Sequence, residues 1–174
     1  MIPSALLRRR TALAWGTAWV VAVVLCALSA WSYADARGDS TLAYAKARDS
    51  VLAAGQRGIV RLNTVDAAHP DRDLGAWLDA TTGPLHEQLS RTHAADAASL
   101  KESGTRTRGA VTDAAVTELD TRAGTAKVIA TVQVTVTPRA GTATTDRKRF
   151  EAGLARTGGG WKLTALTAVP LGAS

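Results

Sequence analysis

Between Arg10 and Asp35 the chain runs for 24 residues without a charged side chain, TALAWGTAWVVAVVLCALSAWSYA, and no other stretch constrains its structure as strongly. As a helix it reaches about 36 Å, against a hydrocarbon core of about 30 Å. A cleavable secretory leader carries an apolar region of only about 7–15 residues, so the extra length favours an anchor that stays. Trp15 and Trp19 lie near one end and Trp31 and Tyr33 at the other, where amphipathic rings settle at membrane interfaces. Arg8, Arg9 and Arg10 directly before the span keep the short amino-terminal tail cytoplasmic and send everything after Asp35 outward. The expected organisation is a cytoplasmic tail at 1–11, a single plasma-membrane span at 12–34, a linker at 35–40 and an extracytoplasmic domain at 41–174. The competing reading is cleavage after Ala36, since Ala34-Asp35-Ala36 has the small-x-small pattern that a signal peptidase accepts.

The formal net charge is +6, but Arg8 to Arg10 supply three of the 21 basic residues, which leaves an excess of only +3 over the 15 acidic ones. That spread-out surplus is no nucleic-acid footprint, and export would separate the domain from nucleic acid. The densest basic run, Asp146-Arg147-Lys148-Arg149, reads as the solvated start of a strand. Cys26, the sole cysteine, falls inside the apolar run and reads as a small apolar packing residue. With no disulfide within the chain, the outer domain must be held by its apolar core, which about 140 residues can supply.

From Thr41 to about Asp66 the residues Val51, Leu52, Gly55, Ile59, Leu62 and Val65 recur at three- and four-residue steps, the mark of an amphipathic helix. Ala67-Ala68-His69-Pro70-Asp71 breaks it, because the residue before proline is pushed out of the helical region. Shorter helices are expected around 74–80 and 84–101, the second with Pro84 in its first turn. Beyond Gly104 the period changes to two. In 125–136 every even position from Val128 to Val136 is apolar, and further strands are expected at 109–119, 147–156 and 161–169. Phe150, Ala152 and Leu154 share one side of the third strand, and Trp161, Leu163 and Ala165 point inward from the last. Asp120-Thr121-Arg122-Ala123-Gly124 supplies a hairpin glycine, and 139–145 is the loosest connection by composition. The fold class is α+β: a single amino-terminal span, then about three helices on the inner face of a curved, four-stranded antiparallel sheet.

Several ordered features are similar to the actinobacterial Mce-associated membrane proteins. They are the early span, the helix Ala47-Arg48-Asp49-Ser50-Val51-Leu52-Ala53-Ala54-Gly55-Gln56, the continuation Leu62-Asn63-Thr64-Val65-Asp66, then Gly83-Pro84-Leu85, the Val-rich strand ending near Pro138, and Gly160-Trp161-Lys162-Leu163. The resemblance implies an outer domain with a cone-like fold similar to nuclear transport factor 2. It also implies a non-enzymatic accessory subunit of an Mce system, which moves lipids or sterols across the actinobacterial envelope. Its partners would be the membrane, Mce-complex proteins and a lipid or sterol.

The cone fold also hosts isomerases, dehydratases and small-molecule binders, so an anchored enzyme and a lipid-carrying module stand as alternatives. A catalytic version needs a titratable group in an apolar cavity. The apolar series 128–136 carries no Asp, Glu or His. His69 sits in a polar loop, and His86 and His93 are seven residues apart on one helix, too far apart for a shared metal without other ligands. No phosphate-cradling glycine loop or nucleophile elbow is present, and Gly158-Gly159-Gly160 lies between two strands, as a hairpin turn does. No catalytic residue, metal or cofactor is therefore expected. Trp77, Phe150 and Trp161 are the large aromatics outside the span: core residues on the simplest reading, and on a sharper one the lining of an apolar cavity or partner contact at the mouth of the cone.

If the span at 12–34 is retained, the full-length protein stays with the membrane pellet through an alkaline carbonate wash and its amino terminus still reads Met1 or Ile2. A mature amino terminus at Arg37, with release into the supernatant, would establish cleavage.

Overall fold

The computed structural model describes residues 23–26, 29 and 41–170. Arg8, Arg9, Arg10, Trp15, Trp19, Trp31 and Tyr33 lie outside the described residues, as do the expected tail, the linker and most of the span. Residues 23–26 and 29 are helical, and Val23, Val24 and Leu25 are exposed. Among the described residues no helix is long and apolar enough to cross a membrane. The chain divides into two compact units, Met1–Ala45 and Lys46–Ser174.

In the second unit helix α1, described from 41 to 62, enters at Lys46 and leads into strand β1 (Val65–Asp66). Helices α2 (Pro70–Ala80) and α3 (Gly83–Ser103) follow. Strands β2 (Arg106–Asp120), β3 (Thr125–Thr137), β4 (Thr144–Thr157) and β5 (Gly160–Val169) complete the α+β fold. The five strands form one antiparallel meander in the order β1-β2-β3-β4-β5.

The sheet thus has five strands, where four were expected. The expected continuation of α1 to Asp66 stops at residue 62, because Asn63 turns the chain. Its backbone N–H is shared between the carbonyls of Ile59 and Val60, and its side-chain Nδ2 donates to the Ile59 carbonyl at 2.8 Å. With that end satisfied, β-branched Thr64 and Val65 leave in extended form, and Val65 pairs with Thr107 and Asp66 with Arg106.

The alternation read in β3 holds: Val128, Ala130, Val132 and Val134 are buried and Lys127 and Gln133 are exposed. Ala126, Ala152, Leu154 and Leu163 extend the same buried face, with Val51 and Ile59 of α1 upon it. Two register shifts in β2, between Val111 and Asp113 and between Val116 and Glu118, bend the strand. The hydroxyls of Thr112 and Thr117 donate across to the carbonyls of Thr131 and Lys127 at these points. The β2–β3 turn uses Gly124 at φ 66°, and Asp120 Oδ1 accepts from the N–H groups of Arg122 and Ala123, both at 2.9 Å. The inward phase expected for β5 needs correction. Leu163 pairs with Leu154 but Ala165 with Gly153, so an extra residue at this bulge moves Ala165 to the exposed side and brings Leu166 onto the core.

Helix α1 reaches the sheet through two glycines. A Cβ at Gly55 would lie 3.1 Å from Val128 Cγ2, and one at Gly58 would lie 2.8 Å from Leu163 Cδ1. At the other end of α1 a Cβ on Gly109 would lie 2.6 Å from Asn63 Cβ. The hairpin of α2 and α3 is fastened to β5 at its corner, where Thr82 N–H donates to the Leu163 carbonyl at 2.8 Å. Thr81, 2 % exposed, donates its hydroxyl to the Trp77 and Leu78 carbonyls.

Gly58→Ala and Gly109→Ala are expected to destabilise the domain by about 1–3 kcal/mol each, as overpacked sites do. Gly75→Ala in α2, where a Cβ meets nothing within 4 Å, should stabilise by about 0.5–1 kcal/mol. Urea unfolding of the three variants tests the contrast.

Candidate functional site

The segment Leu62-Asn63-Thr64-Val65-Asp66 ends α1, forms β1 and is hydrogen-bonded to both α2 and β2. Asn63 closes α1. The Thr64 hydroxyl accepts from Gly109 N–H at 3.2 Å, and its carbonyl accepts from Trp77 Nε1 at 3.2 Å, joining α1 to β2 and α2. Asp66 N–H donates to Asp73 Oδ2 at 2.9 Å, while its own Oδ1 accepts from Ala68 N–H at 3.0 Å. Asp66 Oδ2 accepts from Arg106 at 2.6 Å. His69 then stands with φ −139° at the N-cap of α2, held out of helical geometry by Pro70. The hydrogen bond from Ala68 N–H, followed by the Arg106 guanidinium, holds the Asp66 carboxyl below its ordinary pKa. Asp120 is held low as well, by the turn N–H groups of Ala123 and Arg122. Both carboxylates are tuned to stay ionised as acceptors, the opposite of a catalytic acid.

The three expected aromatics are not brought together. Each is half-buried. Trp77 pins α2 to the 62–66 junction. Phe150 lies opposite Ala168 and Trp161 opposite Arg156, which puts about 20 Å of strand between them. Phe150 and Trp161 pack against the core, and Trp161 also borders a recess of about 160 Å³ with Arg57, Arg61 and Asp79. His86 Nδ1 lies 3.0 Å from the Leu78 carbonyl and 3.4 Å from the Thr81 hydroxyl, which makes it part of the α2–α3 corner. Among the described residues no group of three or more His, Cys, Asp or Glu could hold a metal ion.

The helix-facing side of the sheet, where a cone fold would hold a ligand, is occupied by α1. Clefts lie at the periphery instead. One of about 520 Å³ is bordered by Glu118, Asp120, Lys127 and Gly153, and one of about 490 Å³ by Asp66, Lys101, Arg106 and Arg139. Lys101 pairs with Asp71 at 3.4 Å, and Arg139 donates to the Lys101 carbonyl at 3.3 Å. The first half of β4, residues 144–149, is exposed on both faces. The sequence presents its charges as solvated; the register shows that, among the described residues, β5 pairs with Arg149 and with none of Thr144 to Lys148. This arrangement can present edges and charged surfaces to another molecule.

Because the Asp66 carboxyl is held low, its stabilisation is complete above the ordinary carboxylate range and fades as pH falls through the lowered folded value. Asp66→Asn is therefore expected to unfold more readily than the wild type at pH 7, with the difference shrinking below about pH 4. Urea midpoints measured across pH provide the check. Trp77→Phe, which deletes the bond to Thr64 together with part of the indole's packing, should cost about 1–3 kcal/mol.

No curated protein matches the chain. Solved structures share its fold at low identity. An IcmL-like type IV secretion system protein from Legionella pneumophila has a TM-score of 0.59 at 10% identity, over 73% of this chain and 95% of that one. CagV, a VirB8 homolog of the type IV secretion system from Helicobacter pylori, has 0.55 at 10%, over 71% and 99%. The periplasmic domain of DotI has 0.57 at 13%, over 69% and 93%. These likenesses are of fold, and they support the cone-type, nuclear transport factor 2-like domain that the resemblance implied. The family described as "Uncharacterized protein Rv1363c/MT1408-like" matches residues 10–170, from the last arginine before the apolar run to the end of the last strand. By that match the chain belongs to the Rv1363c/MT1408-like family.

Proposed function

We propose that this protein is a non-enzymatic scaffold subunit of the cell envelope, held at the plasma membrane by residues 12–34 with its domain on the outer side. Its place is as an accessory of an Mce-type lipid or sterol import assembly in an actinobacterial envelope. The observation that carries the non-enzymatic reading is the seating of α1. With Gly55 and Gly58 closed onto Val128 and Leu163, α1 lies against the centre of the sheet face over which a cone-fold enzyme or lipid carrier would keep its ligand. The carboxylates held low serve turns and not proton transfer. Fold-level analogy adds support, since the neighbours named above include type IV secretion system proteins. The length of the apolar run supports the membrane location, and the ordered motifs that resemble Mce-associated proteins support the choice of assembly.

The test is to express a tagged full-length copy at native level, extract the membranes in mild detergent and identify co-purifying proteins and lipids by mass spectrometry. Recovery of Mce-type subunits or a transport ATPase is expected. A stoichiometric lipid with no protein would put a carrier in place of a scaffold, and recovery of neither would remove the Mce assignment.

A further inference from the structure

The last pair between β4 and β5 is Arg149 with Val169, whereas β4 continues its pairing with β3 out to Thr144. Thr144 to Lys148 therefore offer one backbone edge with no strand against it among the described residues, a length of about 17 Å. All five are exposed, although Val132 and Val134, their partners on β3, are buried. Open edges invite pairing with another chain. This one begins in the middle of a well-ordered sheet and carries Asp146-Arg147-Lys148-Arg149.

The charges define what could pair there. Among the described residues none of these four has an ion-pair partner. Arg147 lies opposite Gln133 and Arg149 opposite Thr131 on the face away from the helices, and Arg108 shares that face opposite Thr135. Lys148 and Asp146 point to the other face, so the basic side of the free edge is the one away from the helices. A second copy of this edge would bring like-charged arginines together and is disfavoured. The position also separates the edge from the point where the chain enters the domain. Asn63, at the far end of α1, abuts Gly109, which pairs with Val134, which pairs with Asp146. From Lys46 to that end α1 covers about 25 Å.

We propose that the free edge of β4 at Thr144–Lys148 is a docking site for an acidic, extended segment of a partner protein, which adds as a sixth strand. Backbone hydrogen bonds to β4 give the affinity, and carboxylates at alternate positions of the added strand, all on one face, meet Arg147 and Arg149. The proposal deepens the scaffold reading and rests on it for the existence of a partner.

The experiment measures fluorescence anisotropy of a labelled eight-residue peptide alternating glutamate with valine and threonine, titrated with the full-length chain in detergent micelles. Saturable binding is expected, weakened about tenfold by Arg147→Glu with Arg149→Glu, with circular dichroism confirming the fold. Arg147→Gln with Arg149→Gln serves as the milder second variant. A peptide of equal charge with its backbone nitrogens methylated should not bind. Equal binding of the methylated peptide, no binding of the parent peptide, or unchanged affinity in both variants would overturn the proposal. So would charge-dependent binding to phosphatidylglycerol vesicles in place of the peptide. Because no Mce component is present, peptide binding without co-purifying subunits would sink the assembly assignment and leave the edge site intact.

Discussion

The close approach of α1 to the sheet at Gly55 and Gly58 is the contact on which the rest of the domain depends. With no disulfide in the chain, stability comes from apolar area removed from water, and α1 places Val51 and Ile59 in the same core cluster as the buried row of β3. Two missing side chains bring its backbone near enough for Val51 and Ile59 to be fully buried against Val128, Val132 and Leu163. Helix α3 adds little of this kind: in 21 residues only Ala97 is buried, and hydrogen bonds at the Thr81-Thr82 corner do much of the fastening.

The end of that helix shows how a short, unremarkable sequence can do several structural jobs. Asn63 stops α1, Thr64 bonds to β2 and accepts from Trp77, Val65 opens the sheet, and Asp66 gathers Ala68, Asp73 and Arg106. Each bond is modest, yet together they set the angle at which α1 leaves the sheet and α2 begins. Such a cluster of polar side chains facing backbone can be mistaken for a binding site. Its carboxylate is instead occupied by the protein's own donors, which also explains its lowered pKa.

With α1 seated on the centre of the sheet, the clefts described above lie toward its margins, one bordered by Leu119, Ala126 and Leu154 as well as by Glu118, Asp120 and Lys127. The domain presents a bent sheet with two bulged strands, a lightly held helix and, among the described residues, a stretch of β4 with no strand beyond it. The same fold supports unlike activities in other proteins, so the surface chemistry of this chain, and not its topology, argues for a role in assembly.

The sequence by itself determined which segments are helical and which extended, because periodicity and turn chemistry are local properties. The even positions of 128–134 were legible as a buried face, Gly124 as a hairpin residue, Pro84 as a helix start and 67–71 as a break, although α2 begins at Pro70 and not at residue 74. It also showed that the apolar series of β3 holds no ionisable group. Only the tertiary structure decided the rest. Val65–Asp66 became a strand because β2 lay alongside, and an extra residue in β5 gave the inward place to Leu166 instead of Ala165. Phe150 and Trp161, alike in composition, proved to lie at opposite ends of one strand pair. The charges of 146–148 lie on an edge because, among the described residues, the pairing of β5 with β4 goes no further than Arg149. Register, relative strand length and helix-to-sheet distance are relations between segments far apart in the chain, and no local pattern encodes them.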